Sequence, residues 1–312
     1  MIKRTQNKVA ESRYLLPVVA TIAIGVWAVC GLLSLQWCIQ AACYTLSAIL
    51  MAVLNNNNAL IRIFSRMVSC CFLVLSCMAC YQFENLQGAF VQFCAIASYV
   101  IVFRSYQDNK AVGYLFFSYL CLGLASMAFV QILYFIPFLW LLTATQLNSL
   151  SWRTLASSLL GLLTPYWFAA CWFLWQRDFT MLIEHFEALA QFQTLGNFHE
   201  VSLSQWLVFG FIFVLMMTGV IHFFRNSYKD KIRTRQLYGF FMAMALVVIV
   251  FMGLQPQHCN VLMPLLIVNA SPIIAHFMAL TYTKWTNIAF YVIVATSLLI
   301  MAYNVWTCSP LF

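Results

Sequence analysis

The chain has 312 residues, of which 64% are hydrophobic and 8% charged, with a mean hydropathy of +0.87 and a formal net charge of +8. A soluble body of this size carries about 25% charged residues, so a water-soluble globule is excluded and lipid is the expected solvent. The basic excess does not point to nucleic acid, because it lies in short gaps between apolar runs, where membrane orientation and anionic headgroups account for it.

Taken in chain order, the apolar runs predict eleven spans: Tyr14 to Leu35, Cys38 to Leu54, Met67 to Tyr81, Ala89 to Phe103, Val112 to Ser126, Phe129 to Ala144, Leu155 to Trp175, Trp206 to Phe224, Leu237 to Gly253, Val261 to Leu280 and Ile288 to Trp306. The expected fold class is all-α, a polytopic transmembrane helix bundle forming a single integral membrane domain over residues 1–312. The first run follows Lys3, Arg4, Lys8 and Arg13 but is too long for a signal h-region, and it reads as a retained anchor. The uninterrupted run from Val112 to Ala144 would be about 50 Å long as one helix, against about 30 Å of hydrocarbon. It must turn, and a hairpin is expected near Gly123 to Ala128. Asn55 to Asn58 read as a polar turn between the second and third spans.

Threading these spans places fifteen of the sixteen Lys and Arg residues in every second gap. The alternate gaps hold only Arg177 among the basic residues, with Glu84, Asp178, Glu184, Glu187 and Glu200. The positive-inside bias then puts the N-terminus in the cytoplasm and the C-terminus outside. Trp37, Trp152, Trp175, Trp206, Trp285 and Trp306 fall at span ends, where indole rings favour the headgroup level.

The longest gap, residues 176–205, is expected as an exoplasmic loop. Within it Phe179, Leu182, Ile183, Phe186, Leu189 and Ala190 recur at helical spacing, the pattern of a short amphipathic helix lying in the interface. Most cysteines lie in spans, where a thiol packs as a small apolar group. The lone CxxC at Cys77 and Cys80 has no second pair or nearby His to complete a metal site. Cys259 and Cys308, at the outer ends of consecutive spans, are the candidate disulfide. The five histidines are too scattered to converge on an iron, and no HExxH, P-loop, GxSxG or glycine-rich fingerprint is present. Neither a metal nor another cofactor is implied.

Polar residues inside spans carry the functional signal. Asn269, Pro272 and His276 share one face of the tenth span, where Pro272 frees a carbonyl beside two hydrogen-bonding side chains. They are candidates to line a binding cavity or to bond neighbouring helices, and Gln131 invites the same two readings. Asp178, Glu184 and Glu187 are the exoplasmic acidic candidates for catalysis.

The stretch Gly113-Tyr-Leu-Phe-Phe-Ser-Tyr-Leu-Cys-Leu-Gly-Leu-Ala-Ser-Met resembles a family of uncharacterised multi-span proteins from Bacteroidota. Tyr134-Phe-Ile-Pro-Phe, Gly161-Leu-Leu-Thr-Pro-Tyr and Met263-Pro-Leu-Leu-Ile-Val-Asn-Ala-Ser-Pro are similar to the same family. The resemblance implies an inner-membrane protein of a Gram-negative cell and supplies no activity. Three classes of function stay open: a non-catalytic scaffold or accessory subunit of cell-envelope assembly, a glycosyltransferase or polymerase using polyprenyl-linked sugars, and a carrier for a lipid or small solute. The expected partners are membrane lipids and other envelope membrane proteins, with no nucleic acid.

Overall fold

The computed structural model describes residues 4–30, 35–177, 179–192, 198 and 201–308, and among these the regular structure is entirely helical. Its α-helices in order are α1 (Thr5–Ala10), α2 (Leu15–Cys30), α3 (Leu35–Asn58), α4 (Met67–Met78), α5 (Leu86–Val102), α6 (Val112–Ala128), α7 (Ile136–Thr145), α8 (Trp152–Gln176), α9 (Thr180–Ala190), α10 (Leu203–Asn226), α11 (Ile232–Leu254), α12 (Cys259–Leu280) and α13 (Lys284–Cys308). Seven of them, α3, α5, α8, α10, α11, α12 and α13, are long and apolar enough to cross a membrane. Four shorter apolar segments, α2, α4, α6 and Val130–Thr145, accompany them.

The centre of the bundle is α12, which packs against α4, α5, α10 and α11. It is apolar all round, as a helix with no solvent face must be, and every residue except Asn260 and Phe277 is buried. Its two internal prolines are accommodated locally. Pro272 cannot donate to the Val268 carbonyl, and the Ser271 hydroxyl stands 3.4 Å from that oxygen instead. Beside Pro264, Gly88 brings α5 so close that a Cβ would lie 3.1 Å from the Asn260 carbonyl oxygen, the acceptor that Pro264 leaves free.

Around this axis, α4 supports α2, α3 and α13, while α5, α6 and α8 form a second packed series. The α6–α8 contact is the closest. A Cβ on Gly161 would stand 2.3 Å from the Phe116 carbonyl oxygen, and one on Gly123 would stand 2.7 Å from that of Leu162. The outer faces of α8 and α13 expose Leu160, Leu163, Trp167, Phe168, Val292 and Leu299, a surface only hydrocarbon solvates without cost. Trp152, Trp175, Trp206, Trp285 and Trp306 are exposed near helix ends.

Three expectations are corrected. Asn55 to Asn58 form the last turn of α3, not a turn outside it, because buried side chains offset their poor helix propensity. Asn55 donates to the Ser65 carbonyl at 2.9 Å, and Asn58 accepts from Arg233 Nη2 at 2.9 Å. Gln36 and Trp37, the gap between the first two expected spans, already belong to α3. The run after Val112 breaks at Phe129, just beyond the expected hairpin, and resumes as a 3-10 helix over Val130–Phe135 before α7 begins with Pro137 in its first turn.

Candidate functional site

Two short connections meet at one end of α12. Residues 59–66, between α3 and α4, carry Arg62, and a 3-10 turn over Ser227–Lys229 delivers Asp230 to the start of α11. The Asp230 side chain points inward with no exposure. Its Oδ2 lies 3.2 Å from His276 Nε2, and its Oδ1 lies 3.1 Å from Arg62 Nε. The arginine contact lacks hydrogen-bond alignment, so it acts by charge. His276 Nδ1 has no hydrogen-bond partner among the described residues.

His276 is enclosed by rings: Tyr238 at 4.9 Å, Phe223 at 5.3 Å and His222 at 5.5 Å between centroids. This cage follows from one glycine. A Cβ on Gly219 of α10 would meet the Ile273 carbonyl oxygen at 2.9 Å, so the backbones of α10 and α12 touch there. Three residues later on both helices, His222 faces His276.

On the far side of His222 lies a cavity of about 860 Å³ between α10, the end of α12, the start of α13 and the 59–66 connection. Arg62, Arg225, Lys229 and His222 line it, with Thr218, Thr281, Tyr282, Thr283 and Thr286, and among the described residues no carboxylate is in its wall. Ile63, Ile221, Phe277 and Leu280 supply apolar surface. Thr283 caps α13, accepting from Thr286 N at 3.1 Å, so a helix N-terminus also borders the cavity. The short α1 pins this end: Gln6 Nε2 donates to the Met278 carbonyl and to Thr281 Oγ1, both at 2.6 Å, and Asn7 Nδ2 donates to the Thr281 carbonyl at 3.1 Å.

The charge of this wall is complementary to an anion. A general base must reach the proton it takes, and His276 and Asp230 have no accessible side-chain surface. The pair is therefore a structural anchor, which aims Arg62 at the cavity.

The sequence candidates separate. Asn269 and His276 are both fully buried, and Asn269 Nδ2 bonds back to the Leu265 carbonyl at 2.8 Å. Tyr238 Oη stands 3.3 Å from the Leu60 carbonyl and 3.4 Å from that of Pro272, so the two acceptors share its one proton. Gln131 lies at the other end of the bundle, where Nε2 donates to the Ala188 carbonyl of α9 at 3.4 Å. Glu184 and Glu187 are exposed on α9, and Asp178 lies outside the described residues. The amphipathic helix expected there is α9. It rests on the bundle through Tyr134, Tyr166 and Gln131, and burial lowers the pKa of its His185.

Cys259 and Cys308 are free thiols. The neighbours of Cys308 are Cys80 and Cys30, whereas Cys259 lies near Tyr81. No set of three His, Cys, Asp or Glu among the described residues is arranged to hold a metal ion. Arg62, Arg225, Lys229 and Asp230 gave no functional signal in the sequence. The basic residues counted only toward orientation, and the one readable clue was a single acid inside a strongly basic connection. No family model, curated protein or solved structure matches the chain.

Proposed function

We propose that the protein is a non-catalytic lipid-handling component of cell-envelope assembly, which binds an amphiphile bearing an anionic, phosphate-type headgroup in the basic cavity. The observation that carries this reading is the cavity wall: Arg62, Arg225 and Lys229, no carboxylate among the described residues, and apolar side chains beside them. Basic pockets between transmembrane helices on the cytoplasmic side suit anionic headgroups. The same reading sets the chain in an inner membrane with eleven crossings, the four shorter apolar segments included. The N-terminus is then cytoplasmic and the C-terminus exoplasmic, with other envelope membrane proteins as its partners. It favours the lipid-handling class over the glycosyltransferase, since Glu184 and Glu187 project from α9 without joining a cavity that holds a base.

Thermal unfolding of the purified protein in a non-ionic detergent tests the binding. Phosphatidic acid is expected to raise the Tm, while phosphatidylcholine leaves it unchanged. An equal rise with inorganic phosphate would make the ligand a free anion, and an equal rise with phosphatidylcholine would overturn the reading. Reporter fusions after Arg62, Lys110 and Lys231 are expected on the cytoplasmic side and fusions after Ala190 outside; the same side for all four contradicts the topology.

A further inference from the structure

We propose that the opposite end of α12 carries a second binding site, selective for an uncharged, hydroxyl-rich group of the sugar class. The helix is 22 residues long, so the two sites are about 33 Å apart along its axis. The second cavity measures about 450 Å³, within the range of small-ligand pockets. In a chain with so few polar residues, its wall gathers Asn85, Gln87, Gln131, Gln257, His258 and Asn260 from separate elements.

The hydrogen bonds these side chains already make define what remains for a ligand. Gln87 Nε2 donates to the Ala128 carbonyl, Gln131 Nε2 to the Ala188 carbonyl at 3.4 Å, and Gln257 Nε2 to Gln255 Oε1 at 2.9 Å. Their three side-chain oxygens have no donor among the described residues. Conversely, Asn260 Oδ1 accepts from Gln205 Nε2 at 2.6 Å and Asn85 Oδ1 accepts from Gly88 N at 3.0 Å, leaving two amide nitrogens as donors. Three acceptors and two donors around one cavity match hydroxyl groups, each of which both donates and accepts.

Charge narrows the class. Among the described residues no Lys, Arg, Asp or Glu lines this cavity, so a phosphate or carboxylate would find no counter-charge from them there. His185, also in the wall, is held toward its neutral form by burial. Phe129 also borders the cavity, set edge-to-face on His258 at 5.2 Å. A hydrocarbon chain is disfavoured by the density of amides.

The test uses the full chain in lipid nanodiscs, free of sugar detergents, with methyl β-glucoside and methyl β-N-acetylglucosaminide as probes in saturation-transfer NMR. Transfer to the ring protons of at least one probe is expected. It should vanish in Gln87→Leu/Gln257→Leu and in Gln131→Leu, and persist in Arg225→Gln/Lys229→Gln, which alters only the other end. Each variant must melt with the parent, and having two pocket variants keeps the test decisive if one fails to fold. No transfer from either probe, undiminished transfer in folded pocket variants, or equal transfer to glycerol would overturn the proposal. None of these outcomes touches the basic cavity.

Discussion

Arg62 and Asp230 should respond unequally to neutralisation. Arg62→Gln leaves the Asp230 carboxylate fully buried with His276 as its remaining partner, and stranding one member of a buried pair costs about 3–5 kcal/mol. Asp230→Asn keeps the shape and an oxygen for His276 Nε2. The Arg62 side chain is 29% exposed and turns to water in the cavity, so the cost falls to about 1.5–3 kcal/mol, the range of the charge-assisted His276–Asp230 hydrogen bond that the amide weakens. The double variant removes both charges together, and its cost should fall short of the sum by about 1–3 kcal/mol. Thermal unfolding of the four proteins in one detergent at pH 7 reads the cycle. Equal costs, a larger cost for Asp230→Asn, or strict additivity would refute the inference that Arg62 neutralises a buried Asp230.

Gly161→Ala forces a Cβ to within 2.3 Å of the Phe116 carbonyl oxygen and should cost about 3 kcal/mol, the upper range for overpacking. Gly210→Ala meets nothing within 4 Å and should be neutral or stabilising by up to about 1 kcal/mol; equal melting of the two contradicts the α6–α8 geometry. His185 has a folded pKa below 6.5, so the unfolded segment binds more protons. The stabilisation is complete above about pH 6.5 and is lost as pH falls through the lowered value. Hydrogen exchange in residues 180–190, corrected for intrinsic rates, should therefore show α9 less protected at pH 5 than at pH 7.5 and pH-independent in His185→Gln. Mild oxidation of membranes should join Cys308 to Cys80 or Cys30, as read by peptide mass spectrometry; a Cys259–Cys308 peptide would contradict the thiol arrangement.

Much of the bundle could be read from local pattern. Apolar length located the helices, and the break in the Val112 to Ala144 run followed from hydrocarbon thickness alone. The site was harder because its contacts are long-range. His276 was recognised as a buried polar group, yet its partner Asp230 is 46 residues away in a connection that reads as a basic loop. Arg62 and Arg233 look like orientation charges, though one faces Asp230 and the other bonds Asn58 and the Phe103 carbonyl. Asn269 and His276 share a helical face, and α12 has neighbours on every side, so both are fully buried. Asn55 to Asn58 read as a turn by propensity, whereas the tertiary bonds of Asn55 and Asn58 hold them helical.

The most direct measurement is photo-crosslinking with a phosphatidic acid carrying a diazirine near its headgroup, against the matching phosphatidylcholine, mapped by peptide mass spectrometry. The account predicts that the phosphatidic acid labels cavity residues such as Ile221, Phe277 and Thr286. That labelling should fall roughly 30-fold in Arg225→Gln/Lys229→Gln, since two cations at about 1 kcal/mol each amount to about 2 kcal/mol. Equal labelling by both lipids, or labelling confined to the outer faces of α8 and α13, would contradict it.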